Sequence, residues 1–261
     1  MCGFYTATDD FSLITSIPFL CYNNVIFLDT NIPKPLTANK TAVVKIIVDF
    51  MLKKHDNFLF DLYPNVYDVR PFSWYNHAVS DDKLRVTPRY TALLDTNQLN
   101  DLGTYLRTLS KGRRSELNKH ADYEIFESNQ IDTFCEIYLD MFQRQNICIS
   151  DQQLENINRI ISVSTKMKFG KLLGIKHNNK FSSMCLFLHD ADKAYYLFGA
   201  NNPSDRHLGL SSILLLKAFL FLKNMGISTV DLVGANSPDR GGYKLSFGSK
   251  LTHYHQVSKN A

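Results

Sequence analysis

The segment Arg206-His207-Leu208-Gly209-Leu210-Ser211-Ser212 separates one apolar run from the longest apolar run of the chain, at 209–225. A helix that starts here presents backbone N–H groups without intrahelical acceptors at the positive end of its dipole, which is chemistry that holds a phosphate or a carboxylate. Gly209 would let such a ligand approach the backbone, and Arg206 adds a cation. A plainer reading stands beside it, in which Gly209 eases a tight turn and Ser211 or Ser212 caps the helix.

Asp231 lies toward the end of a second apolar run, at 228–233. A carboxylate there can accept an amine proton through water, or pair with the N–H groups of the following loop. Asn236, Ser237 and Tyr243 come next, suited either to positioning a substrate or to forming turns. Trp74 is the only tryptophan and stands with Phe72 and Tyr75, as a stacking platform for a sugar or nucleotide or as ordinary core aromatics. The eight histidines form no H-x-x-x-H helix pair and no Cys/His ligand set, and His253 and His255 read as one polar sheet face, so no metal is expected. Cys2, Cys21, Cys135, Cys148 and Cys185 are odd in number and lack a CxxC pair, which predicts reduced, mostly buried thiols.

The elements that must position these residues follow from periodicity. Helix spacing covers 41–54, strand character covers 57–62 up to Pro64, and a further strand covers 89–96. A helix is expected over 98–109 with capping chemistry at Asp95–Asn97, then an interruption at Gly112, a helix over 113–120 and a strand over 123–127. The second half predicts helices at 131–143 and 154–161, then three antiparallel strands at 169–177, 180–189 and 193–200 with Asn178-Asn179 as one turn. A loop, the helix at 209–225 with Gly226 as its C-terminal stop, a strand at 228–233 and a last strand at 251–257 complete the order.

Lys plus Arg is 29 against 25 for Asp plus Glu, a net +4 that is too mild for a polyanion binder, so no DNA partner is expected. The basic run Lys111, Arg113 and Arg114, flanked by Arg107 and Lys119, reads as a solvated helix face or as a contact to a phosphate-bearing substrate. No window reaches the roughly 18 apolar residues of a spanning helix. The expectation is a cytoplasmic protein that at most touches a membrane peripherally.

Three antiparallel strands, an R-x-x-G-x-small turn, a long helix and a strand ending in a polar loop resemble the core of the GNAT acetyltransferases. In that family the motif (Q/R)-x-x-G-x-(G/A) grips the pyrophosphate of acyl-coenzyme A; here Arg206 and Gly209 match and Ser211 replaces the small third residue. Tyr195-Tyr196-Leu197-Phe198-Gly199-Ala200, Val230-Asp231-Leu232-Val233-Gly234-Ala235-Asn236 and Tyr243-Lys244-Leu245-Ser246-Phe247-Gly248 are similar to the Fem-type branch. Pro71-Phe72-Ser73-Trp74, Pro88 to Thr91 and Arg113-Arg114 extend the resemblance into the first half.

The resemblance implies an α+β fold of two GNAT-like lobes, a tandem acyl-CoA N-acyltransferase fold with mixed sheets flanked by helices. The lobes would be 1–120 and 121–261, with the donor site and catalytic residues in the second. It implies that Lys244 donates to a developing oxyanion or a donor phosphate while Tyr243 and Phe247 anchor inward, and that Lys244 faces a cleft between the lobes. The implied activity is N-acyl transfer onto an amine of an envelope or polysaccharide precursor, small or lipid-linked. An acyl thioester such as acyl-CoA is the expected donor, ahead of aminoacyl-tRNA, because the long helical arm of the tRNA-handling Fem enzymes has no counterpart. Val233 stands where relatives often carry an acidic residue, and this favours a rival reading as an inactive GNAT-fold protein that binds a nucleotide- or lipid-linked precursor.

Overall fold

The computed structural model describes residues 5–6, 13–15, 21–22, 38–54, 57–64, 66, 68–78, 83–119 and 122–259. The chain folds as two compact units, Met1–Thr91 together with Thr252–Ala261, and Ala92–Leu251.

In the first unit β1 (Tyr5–Thr6) pairs antiparallel with β2 (Leu13–Thr15), and β2 runs parallel to β3 (Asn57–Asp61). The helix α1 (Ala38–Lys54) lies between β2 and β3 in sequence and begins a little earlier than its periodicity predicts. Val44, Val48 and Met51 recur on one of its faces and are buried with Phe58 and Phe60 of β3, Leu62, Leu84 and Phe72 of the short α2 (Arg70–Ser73). The last strand of the chain returns to this unit: Gln256 pairs with Asp61 and Val257 with Phe60, which places Val257 in the same core.

The chain passes into the second unit within β4 (Arg85–Asp95). There the single helix expected over 98–109 is two pieces, a 3-10 turn Thr96–Asn100 and α3 (Leu102–Thr108). The break occurs because Asp95 caps the first piece at Asn97 N–H while Asp101 caps the second at Thr104 N–H, so two short caps compete with one continuous helix. Gly112 does not interrupt; it lies in the first turn of α4 (Lys111–Lys119). β5 (Ile125–Glu127), α5 (Ile131–Gln143) and α6 (Asp151–Lys166) follow, the last opened by a capping box between Ser150 and Gln153.

The expected meander is present as β6 (Gly170–His177), β7 (Lys180–His189) and β8 (Lys193–Asn201), without a helix inside it. Asn178 and Asn179 both take positive φ, 49° and 63°, as a two-residue hairpin turn matched to strand twist requires. A 3-10 turn Pro203–Leu208 leads to α7 (Leu210–Asn224), and β9 (Thr229–Asp231), α8 (Pro238–Leu245) and β10 (Lys250–Lys259) end the chain. Within this unit the strands run β4-β9-β8-β7-β6-β5, with β8 and β9 parallel and the other pairs antiparallel.

α7 is apolar almost all round, with nine buried residues, because it is wedged between the sheet and the α3–α4 pair. Leu173, Ile175, Cys185 and Phe187 meet it from one sheet face, while Phe134 and Tyr138 of α5 meet Phe198 of β8. Leu106, Leu117 and Ile125 belong to the α7 cluster, so the 120/121 boundary read as a division of a duplicated fold lies inside this compact unit. Among the described cysteines Cys135 and Cys185 are buried, Cys21 is half-buried and Cys148 is exposed, while Cys2 lies outside the described residues. Cys135, Cys148 and Cys185 are in no disulfide.

Candidate active site

Parallel pairing of β8 with β9 stops at Tyr195 opposite Asp231. Beyond it β8 continues to Asn201, with Leu197 as an extra residue between the pairs Phe187–Tyr196 and Leu186–Phe198, whereas the chain after Asp231 leaves the sheet. Two parallel strands that part at their carboxyl ends, joined by a helix starting at the same end, leave a crevice there. The crevice is a cleft of about 690 Å³ floored by Tyr196, Leu197, Phe198 and Gly199 of β8. Tyr138, Met141 and Phe142 of α5 form one wall; Leu210 and Ser211 of α7 with Tyr243 and Lys244 of α8 form another. Arg144, Arg206, Arg240 and Lys244 outnumber Asp205 and Asp239 in its lining, so the cleft favours an anionic ligand.

The α7 entry is built as the residue types require. Gly209 is the N-cap at φ 68°, a left-handed conformation that a side chain resists, and no side chain caps the helix. Gly209 N–H donates to the Arg206 carbonyl at 3.2 Å and Ser212 N–H to the Gly209 carbonyl at 3.0 Å. The volume beside the Gly209 Cα is filled by Glu116 of α4, whose carboxylate lies within 2.5–3.1 Å of where a Cβ would stand. The glycine is therefore demanded by its own backbone and by Glu116. Arg206 and Ser211 line the cleft; Gly209 and the buried Ser212 sit behind it.

Lys244 also lines the cleft, and its ammonium donates to the Val233 carbonyl and, at 3.0 Å, to the Gly234 carbonyl. Val233 and Gly234 both have φ 51°, an unusual conformation for a β-branched residue. Asp231 holds this turn from the other side, because its Oδ1 accepts the Val233 N–H at 2.9 Å. Asp231 is fully buried and stands outside the cleft lining, in the arrangement of a carboxylate paired with the next loop's N–H groups. Lys244 and Asp231 thus frame one turn. Asn236 and Ser237 are exposed and also lie outside the lining.

Behind the cleft Arg113 is the hub that the basic run concealed. Far from being solvated, its side chain is only 10% exposed. It bonds Glu116, Ser212 Oγ and, at 3.0 Å, Ser246 Oγ, and its guanidinium lies 4.8 Å from the Tyr243 ring and 4.6 Å from the Phe247 ring. A charged fork held between two aromatic faces joins α4, α7 and α8. Tyr243 and Phe247 pack edge to face at 5.3 Å, anchored inward as their spacing predicts, and the Tyr243 hydroxyl stands 3.4 Å from Ser212 Oγ.

Burial pushes the Tyr243 hydroxyl above the ordinary tyrosine range, opposed by hydrogen bonds from Ser212 and Ser211 and by the Arg113 cation. Tyr196 is pushed up more strongly, first by burial and then by Cys185, Tyr243 and Tyr138 around it, and Tyr138 is raised by burial against the pull of Arg240. Three tyrosines protonated at neutral pH therefore meet at the cleft. Gly199 makes room for one of them, since a Cβ there would overlap the Tyr196 hydroxyl.

Trp74 is exposed and belongs to the first unit, with the Arg70 guanidinium 5.3 Å above its ring. His253 and His255 pack edge to face at 5.5 Å, and among the described residues no His, Cys, Asp and Glu cluster could hold a metal. The site residues the sequence did not single out are Tyr138, Tyr196, Arg144, Arg240 and Arg113. Tyr196 and Arg113 stand inside quoted motifs, but nothing in spacing says which member of a motif faces a cleft.

Residues 105–245 match the model of the acetyltransferase (GNAT) domain. No curated protein matches the sequence. Among solved structures the chain is similar to FemX, at 12% identity over 84% of this chain and 78% of that one, with a TM-score of 0.64. It is also similar to the C-terminal domain of a putative lysylphosphatidylglycerol synthetase from Agrobacterium fabrum, at 14% identity over 85% and 74% with a TM-score of 0.58. L-PGS from Bacillus licheniformis matches at 10% identity over 85% and 74% with a TM-score of 0.55. These likenesses show an α+β fold shared with FemX, and the family match makes it a GNAT-type fold.

Proposed function

We propose, on the premise that the chain belongs to the acetyltransferase (GNAT) domain family and is an acyltransferase, that it moves an acyl group from a thioester donor to the amine of an envelope precursor. One observation carries this reading: the cleft where β8 and β9 part joins the α7 N-terminus, a cationic lining and protonated tyrosines in one volume. The donor's phosphates are assigned to the α7 entry, where Arg206 supplies charge and Ser211 lines the wall. An acyl-CoA fits that chemistry, and aminoacyl-tRNA is the second donor class.

The acceptor amine attacks the acyl carbonyl, a tetrahedral oxyanion forms, and its nitrogen releases a proton to solvent water. Collapse breaks the C–S bond and expels a thiolate that takes up a proton from a group that solvent then reprotonates. Tyr243, kept protonated by burial, is the group assigned to give that proton. Lys244 is assigned to keep the Val233–Gly234 turn in place and to lend positive charge to the oxyanion side, and Asp231 to position the same turn. Asn236 and Ser237 are assigned to the acceptor side of the loop they follow. The structural relative named as a putative lysylphosphatidylglycerol synthetase, a name that places its product on a lipid, supports a lipid-linked or otherwise anionic acceptor.

The test is incubation of the purified protein with acyl-CoA donors and amine acceptors. Thiol release that requires both substrates supports the reading. Release that is independent of acceptor, or absent with every thioester while aminoacyl esters turn over, overturns the donor assignment.

A further inference from the structure

The outer side of α1 is apolar where a helix would normally meet water. Val44, Val48 and Met51 are buried at 3%, 2% and 2% exposure, yet Val43, Ile46 and Phe50 are exposed at 44%, 67% and 58%. At 3.6 residues per turn these three fall within an arc of about 60°, on the side of the helix away from the buried stripe. α2 packs on α1, and Trp74, 60% exposed, follows it directly. Apolar side chains clustered in this way mark an interaction surface, whereas scattered ones do not.

The charges decide what it meets. α1 carries Lys40, Lys45, Lys53 and Lys54 against Asp49 alone, a net +3; Lys53 is exposed about 20° beyond one edge of the apolar arc, and Asp49 and then the exposed Lys45 lie further round the helix. Arg70 stands over the Trp74 ring. Exposed apolar side chains on a helix with a net positive charge suit an anionic lipid surface, where the chains enter the acyl boundary and the cations remain at the headgroups. Among the described residues no helix is long and apolar enough to cross a membrane, so the helix would lie in the interface.

We propose that the outer face of α1, through Val43 and Ile46, docks on an anionic membrane surface, together with Trp74 at the end of the α2 helix that packs on α1. This interaction rests on no residue of the cleft and stands apart from the acyl-transfer reading.

Trp74 is the only tryptophan, so its emission reports the docking without a label. The intact protein is titrated with vesicles of phosphatidylcholine alone and of phosphatidylcholine containing phosphatidylglycerol. The expected result is a blue shift and quenching by brominated acyl chains with the anionic vesicles only, weakened by salt. Ile46→Asp should abolish binding, and the double reversal Lys45→Glu with Lys53→Glu should weaken it about 25-fold or more, at roughly fivefold per lysine. All three changed positions are exposed, so unchanged thermal unfolding of both variants separates lost docking from lost fold. Unchanged emission, equal binding to neutral vesicles, or a blue shift that grows with protein concentration without vesicles would overturn the proposal, the last in favour of self-association. Acyl transfer to a soluble amine should be the same in both variants, which keeps this outcome separate from the fate of the proposed activity.

Discussion

Lys244 and Tyr243 are neighbours with opposite duties. The lysine spends two of its donors on the Val233 and Gly234 carbonyls, so it both carries charge into the cleft and holds the loop that forms its edge. Lys244→Met is expected to lower turnover by about 10² or more and, because two partly buried carbonyls lose a charged donor, to lower stability by about 1–2 kcal/mol. Steady-state kinetics and urea midpoints read the two effects, and a variant with normal turnover removes Lys244 from the mechanism. For Tyr243 the sign of the pKa shift matters: burial raises its folded value above the ordinary tyrosine value of 10.0, so the proton stays on the hydroxyl throughout the neutral and mildly alkaline range. The wild-type rate should therefore show no tyrosine inflection below about pH 10. Tyr243→Phe should cost about 10² in turnover at every pH in that range. An alkaline fall below pH 10 that disappears in the phenylalanine variant would contradict the assignment.

At the scale of elements the site depends on three helices meeting at Arg113. α4 contributes Arg113 and Glu116, α7 Ser212, and α8 with the turn after it contributes Tyr243, Ser246 and Phe247. Arg113→Met keeps some bulk between the rings but leaves the Glu116 carboxylate beside Gly209 without its cation. Since Glu116 is a third exposed, the expected loss is about 2–3 kcal/mol rather than the full cost of a broken buried pair. The α7 entry should shift with it, so KM for the donor rises more than kcat falls. Arg113→Lys restores charge without the fork and should recover only part of either effect. Equal stability of wild type and Arg113→Met in denaturant titration would show that the hub is not structural.

Over the whole molecule the chain enters the first unit, leaves it within β4, and returns at Thr252. Val257 is fully buried in the first unit's core, and Leu62 N–H donates to the His255 carbonyl at 2.8 Å. Removal of 252–261 therefore strips β3 of its antiparallel partner and opens an apolar core. The expected outcome is loss of amide-exchange protection over Ala38–Asp61 while β6 to β8 and α7 keep theirs. Retained protection in α1 and β3 would mean that the first unit holds itself together without its last strand.

The sequence by itself determined the elements with strong periodicity. α5, the β6–β8 meander with its Asn178-Asn179 turn, and α7 with its glycine at the entry follow from local rules of alternation, helix spacing and positive φ. It also determined the GNAT family, whose domain model matches residues 105–245, the stretch that holds the R-x-x-G turn. Local rules were weaker where caps compete, so 98–109 split at Asp101 and Gly112 joined α4. Only the tertiary structure decided what each polar residue does. Arg113 lies in a run with the charge pattern of a solvated face, and its burial comes from Tyr243 and Phe247, more than a hundred residues away. Asp231 and Lys244 meet through the Val233–Gly234 turn, and Tyr196 reaches the cleft because β8 outlasts its pairing with β9. Periodicity reports which face of an element is apolar; which long-range neighbour covers that face is a property of the packed chain.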